Sequence, residues 1–167
     1  LPDSYEALDS AIAGMIDDAA FGESSSRILL AERMSGPEVS VFAFLDGAHV
    51  SSEIATCDYK RIGEGDVGLN TGGMGAYGPP EFWTEELADQ VREQILEPVA
   101  KALVAENSSF SGVLYAGLMI TASGPKVIEF NCRFGDPETQ ILMPMLESDL
   151  VDICMAVAEH RLEREEV

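Results

Sequence analysis

Positive charge is what this sequence has least of. Ten Lys and Arg stand against thirty Asp and Glu, a formal charge of −20, and the lysines are only Lys60, Lys101 and Lys126. A surface this negative repels phosphate backbones and anionic headgroups, so neither nucleic acid nor a membrane is an expected partner. An anionic small molecule can bind only where the few cations gather. Cysteine is scarce too: Cys57, Cys132 and Cys154 are odd in number and widely spaced, which argues against a disulfide framework or a zinc site. Each reads as a small core residue or a bystander. No apolar run approaches the roughly 20 residues that span a bilayer, and the N-terminus lacks the charged and apolar regions of a signal peptide, so a cytoplasmic protein is expected. Internal repeats and low-complexity tracts are also missing.

What is present suffices for a real core. At 167 residues and 46% hydrophobic content, the chain is expected to form one domain or a large part of one. Asp3 and Glu6 have capping-box spacing, and Leu8, Ile12, Met15, Ile16 and Ala19 recur at helical intervals, which predicts a helix to about Ala20. After a loop over Gly22 to Ser26, Arg27 to Glu32 and Val39 to Leu45 read as strands separated by Ser35-Gly36-Pro37. Asp46-Gly47 marks a hairpin turn, with His49 to Thr56 as the returning strand. Thr84 caps a helix that runs toward Glu106, and Pro98 is expected to kink or break it. Gly112 to Ile120 and Lys126 to Phe130 pair across Ser123-Gly124. A last helix starts near Ser148 or Asp149, with Leu150, Ile153, Cys154 and Val157 on one face.

Two stretches carry chemistry. In VIEFNCRFGDPETQ, Val127 to Gln140, a short strand puts Glu129 and Asn131 on the same face, because alternate side chains point the same way. A carboxylate and an amide oxygen are hard ligands that suit Mg²⁺, which leaves its other positions to water and phosphates. Arg133 adds a planar cationic fork beside them, and Gly135, Asp136 and Pro137 then turn the chain. Taken alone, this spacing also fits a strand that ends in a polar loop. The second stretch, DYKRIGEGDVGLNTGGMGAYGPP, spans Asp58 to Pro80 without periodicity and carries Gly63, Gly65, Gly68, Gly72, Gly73, Gly75 and Gly78. Glycines let ligand oxygens approach backbone N–H groups, and Lys60 and Arg61 stand at the entrance. A flexible linker fits the glycines as well, although Asn70-Thr71, Met74 and Ala76-Tyr77 are unusual in one.

DYKR, NTGGMGAY, LYAGLMI and above all RFGDPETQ resemble the phosphoribosylamine–glycine ligases, the glycinamide ribonucleotide synthetases of purine biosynthesis, within the ATP-grasp superfamily. The resemblance runs from about Arg27 to Asp152, and RFGDPE is specific to this ligase. It implies that residues 1–167 are a partial ATP-grasp domain. The expected fold is an α+β lobe, a mostly antiparallel sheet with helices packed on one face, on whose open face the Asp58 to Pro80 loop and the Glu129 to Glu138 segment converge. It implies an ATP-dependent ligation of glycine to 5-phosphoribosylamine through a glycyl phosphate, with Mg²⁺ or Mn²⁺ held by Glu129 and Asn131. Catalytic roles fall to Arg133, Lys60 and Asp136, with Arg133 facing the transferring phosphoryl group. Substrate binding falls to Asp58, Lys60, Asn70, Thr71, Gly72, Gly73, Met74, Arg133 and Asp136. ATP binding falls to Glu32, Arg33 and Met34 at the adenine and to Glu38 at the ribose. The family's N-terminal domain, its subdomain with a glycine-rich loop, and its C-terminal domain are not recognisable here. The missing lobes of the same enzyme are therefore the expected partners, and catalysis by this chain alone is not expected. Tyr59, Leu69 and Ala31 depart from the family's usual His, Pro and Glu. Two other readings are a nucleotide-binding module without catalysis and a different ATP-grasp carboxylate–amine ligase.

Overall fold

The computed structural model describes residues 2, 4–65, 67–162 and 167, and the chain forms two compact units, Leu1–Arg33 and Met34–Val167. In the first, Ser4 opens helix α1, Tyr5–Ile16, its Oγ accepting from the Ala7 N–H at 3.1 Å. Asp3, expected in that capping role, lies outside the described residues. The helix stops short of the expected Ala20. Asp17 and Asp18 put negative charge at the negative end of the helix dipole, and Ala19 turns the chain at φ 48°. Gly22–Ser26, expected as a loop, winds into a 3₁₀ helix.

Arg27 to Glu32, expected as a strand, pairs with no described strand. β-propensity reflects a fit to a paired, half-buried surface, and that surface is lacking: Leu29 is 91% exposed. Helix α1 likewise buries none of its residues, and with Ile28 to Arg33 it lines a largely apolar cleft of about 640 Å³. Exposed apolar surface of this kind drives association. Sedimentation velocity is expected to show concentration-dependent self-association that Leu29→Asp weakens; a monomer at every concentration would remove the prediction.

The second unit is built on one sheet, in which every pairing is antiparallel. Strand β1, Glu38–Asp46, turns at Gly47 into the short β2, His49–Val50, and β3, Ile54–Asp58, follows. The single returning strand expected over His49 to Thr56 is thus split. Ser51 causes the break: its Oγ accepts the Phe44 N–H, and Arg92 donates to the Val50 and Ser51 carbonyls at 2.7 Å each. The Asp58 to Pro80 segment also has more order than expected. Strands β4, Arg61–Gly63, and β5, Val67–Asn70, form a separate hairpin, and β6, Ala76–Tyr77, joins the edge of β3. Strands β7, Ser111–Thr121, and β8, Gly124–Asn131, complete the order β6-β3-β1-β7-β8.

Alternation along β1 divides two cores. Val39, Val41, Ala43 and Leu45 pack with Leu114, Ala116 and Leu118 against Val91, Ile95, Leu96 and Ala100. Val91 lies on α2, Glu85–Val91, Ala100 on α3, Glu97–Ala105, and Ile95 and Leu96 on the π-turn over Arg92–Leu96 that joins the two. Pro98 sits in the first turn of α3. Its ring would clash with the carbonyl four residues back in a regular helix, and the wider turn relieves that clash, so the predicted break takes this form. This is the expected helical layer. A second, smaller layer covers part of the opposite face, where Phe42, Phe44 and Tyr115 meet Leu142 of α4, Thr139–Leu142, and Ile153 and Val157 of α5, Leu150–Ala158. Cys154, expected on the buried side of α5, is exposed. No helix among the described residues is long and apolar enough to cross a membrane.

Candidate active site

Cross-strand partners share a face, so register decides which side chains meet. Thr56 pairs with Ser40, Ser40 with Gly117, and Gly117 with Glu129, while Phe42 pairs with Tyr115 and Tyr115 with Asn131. Glu129 and Asn131 therefore lie on the same face as Ser40 and Tyr115, as do Glu38 and Asp58, two residues along their strands. The α4–α5 layer covers the Phe42 and Phe44 end of this face, and the polar end is left to the loops. Gly117 has a local reason to be glycine: a Cβ there would stand 3.3 Å from Glu129 Cγ. Asn131 Nδ2 donates to Glu129 Oε1 at 3.1 Å, which turns the Asn131 amide oxygen away from Glu129.

Lys60 stands between two carboxylates, with its Nζ 2.6 Å from Glu38 Oε2 and 3.8 Å from Asp58 Oδ1. Burial works against its charge, but the hydrogen bond that Lys60 donates to Glu38 and the field of Asp58 outweigh it and hold the ammonium above its ordinary value. The Asp58 side chain is only 8% exposed. Burial pushes its carboxyl up; Lys60 opposes this and Glu138 adds to it. A carboxyl raised in the folded state binds protons there that the unfolded chain has released. It therefore weakens the fold as pH rises from the ordinary Asp value through the folded one. Asp58→Asn is expected to raise the melting temperature at pH 7 and to lose that advantage as pH falls below the ordinary Asp range, measured by calorimetry.

The two loops converge. Gly73 has φ 123°, and an added Cβ would overlap the ring of Pro137. Lys60 O accepts from both the N–H and the Oγ1 of Thr71, and Met74 N–H donates to Tyr59 O, which fixes the neck of the glycine loop beside Lys60. Thr71 Oγ1 also accepts from the Gly73 N–H at 3.1 Å. Arg133 is exposed and donates to Phe134 O, and Asp136 Oδ1 accepts from Gln140 Nε2. Asn70, Gly72 and Met74 are exposed, whereas Gly73 is half-buried. Glu32 and Arg33 belong to the first unit, Met34 and Glu38 to the second.

A family profile, "Phosphoribosylglycinamide synthetase, ATP-grasp (A) domain", matches residues 2–139. The chain belongs to this family. The ATP-grasp chain is 46% identical over 157 residues to the phosphoribosylamine–glycine ligase of Pasteurella multocida, covering 93% of this chain and 37% of the relative. It is 46% identical over 161 residues to the Salmonella typhimurium ligase, covering 96% and 38%. It thus spans well under half the length of the curated relatives that it matches. The crystal structure of the Thermotoga maritima ligase superposes with a TM-score of 0.69 at 31% identity, over 77% of this chain and 32% of that one.

In this ATP-grasp chain, three site neighbours are not evident from sequence: Ser40, Tyr115 and Glu138. Ser40 Oγ and Tyr115 OH are 2.8 Å apart, and each lies 3.3 Å from Glu138 Oε1. The available signal was the alternation of β1, which reads Glu38, Ser40, Phe42, polar before apolar on a single face. Cys57 is buried, with its thiol pushed up by that burial, so it is no nucleophile. His160 bonds Asp46 at the far end of β1, outside the site.

Proposed function

We propose that residues 1–167 are the ATP-grasp domain of an enzyme that joins glycine to 5-phosphoribosylamine, with ATP as co-substrate and Mg²⁺ or Mn²⁺ as the metal. In this reading the glycine carboxylate attacks the γ-phosphorus of ATP and ADP leaves, giving glycyl phosphate. The amine of phosphoribosylamine then displaces phosphate to form glycinamide ribonucleotide, a step of purine biosynthesis. The supporting observation is the single polar face that gathers Glu38, Asp58, Glu129 and Asn131, with Lys60 ion-paired to two of them and the RFGDPE loop at its edge.

Glu129 and Asn131 fit a divalent ion because they present hard oxygens, and the Asn131 amide nitrogen is already taken up by Glu129. Among the described residues no group of three His, Cys, Asp or Glu is placed to hold a metal ion. A divalent ion held by Glu129 and Asn131 would supply charge neutralisation to the phosphates of ATP. Arg133 presents its exposed fork to the transferring phosphoryl oxygens, and Asp136 supports the substrate beside it. Lys60 and Asp58, with Asn70 to Met74, orient the glycine and the phosphoribosylamine. Glu38 accepts from the ribose hydroxyls once Lys60 releases it, and the backbone of Glu32 to Met34 faces the adenine. The partners are the remaining lobes of the same enzyme, and a cytoplasmic site of action agrees with three unpaired cysteines.

Restored to full length, the enzyme is expected to release ADP only when both glycine and phosphoribosylamine are present, followed by a coupled assay. Release that ignores glycine would sink the reading.

A further inference from the structure

Glu138 is 4% exposed, although a glutamate that opens a helix is ordinarily solvated. Its Oε1 receives Ser40 of β1 and Tyr115 of β7 at 3.3 Å each, and its Oε2 lies so close to Gly135 that a Cβ there would overlap it. Its carbonyl accepts the Ile141 and Leu142 N–H groups at 2.9 Å. One residue therefore joins two strands, the RFGDPE loop and α4. Burying a carboxylate costs several kcal/mol unless partners compensate, and filling this space would need only an apolar side chain of similar size. The contacts continue outward: Glu138 meets Gly135, Pro137 follows in the same turn, and Pro137 meets Gly73 of the glycine loop.

We propose that Glu138 is the positioning residue of this site: its buried carboxylate, held by Ser40 and Tyr115, fixes the loop that presents Arg133 and Asp136 over the strands that carry Asp58 and Glu129. The carboxylate has two tasks that a hydrocarbon cannot perform. It accepts from the hydroxyl pair that Ser40 and Tyr115 form between two strands, and it keeps negative charge behind Asp58, which is otherwise faced by Lys60, Glu38 and Tyr115. The kinetic part of the proposal rests on the ligase reading.

In the full-length enzyme, Glu138→Gln keeps the volume and one acceptor oxygen. It is expected to lower kcat ~10-fold or more and to leave the KM for ATP within about twofold, as befits an interaction expressed in the transition state. Tyr115→Phe, which removes one of the two hydroxyls, is expected to lower kcat less. Independently of turnover, ¹³C NMR is expected to show the Asp58 carboxyl titrating lower in Glu138→Gln than in the parent, a shift that mere space-filling does not cause. Amide exchange at Phe134 to Asp136 is expected to quicken in Glu138→Ala, with the Gln variant as the reading if the Ala variant does not fold. Unchanged kcat together with an unchanged Asp58 titration overturns the proposal. A parent enzyme without glycine-dependent ADP release overturns the ligase reading alone, and the NMR and exchange results still decide for Glu138.

Discussion

Replacing Glu129 by Gln, or Arg133 by Lys, in the full-length enzyme is expected to depress turnover by about two orders of magnitude or more, at least ~2.7 kcal/mol of lost transition-state stabilisation. The two changes act differently. Glu129→Gln keeps the shape of the strand and its bond with Asn131 but removes the charge from the only carboxylate of the candidate pair. Arg133→Lys keeps the charge but replaces a planar fork with a point donor on a flexible stem. Raising Mg²⁺ should therefore partly restore the Glu129 variant and leave the Arg133 variant unchanged. Steady-state assays across a Mg²⁺ series decide this, and wild-type turnover in both variants would show that neither residue has the proposed role.

The second large effect is expected at Gly73→Ala. The position has φ 123°, where an L-residue is strained, and the new methyl would overlap the ring of Pro137. Backbone strain of this kind costs on the order of 1–3 kcal/mol, so the melting temperature should fall by several degrees. The functional loss should be larger. The overlap separates the glycine loop from the RFGDPE loop, and a misplacement of about 1 Å in a positioned site costs on the order of a hundredfold in rate. The double variant Gly73→Ala with Pro137→Ala is the control, because it removes the ring that the new methyl overlaps. Equal losses in the single and double variants, measured as kcat/KM beside thermal melts, would assign the effect to backbone strain at Gly73 rather than to the contact.

Much of this architecture was legible in the residues because local chemistry and tertiary context agreed. Strand β1 alternates, Asp46-Gly47 turns, Thr84 caps, and Glu129 and Asn131 fall two apart on one strand. The parts that were not legible share a physical cause. Arg27 to Glu32 has the composition of a strand, but a strand is a relation between two segments, and none of the described strands pairs with it. The hairpin of β4 and β5 was hidden because its ladder lies among glycines and its side chains bury no common face, so alternation left no trace. Ser40, Tyr115 and Glu138 are far apart in sequence, and only the β1–β7 register and the return of the RFGDPE turn bring them together. The pairing of Lys60 with Glu38, one expected on the substrate and the other on the ribose, could not be read from either segment alone.

Ile128 has no partner of its own in the ladder: Gly117 faces Glu129, while Leu118 already faces Val127. A supernumerary residue at this point confines irregularity to one place, and everything after it keeps its side. Removing Ile128 would leave a regular ladder with Glu129 and Asn131 still on the polar face, whereas removing Phe130 would turn one of the two toward the helices. In evolutionary terms, β8 therefore has a site where its length can drift by one residue without disturbing the chemistry, immediately next to a stretch where it cannot drift at all.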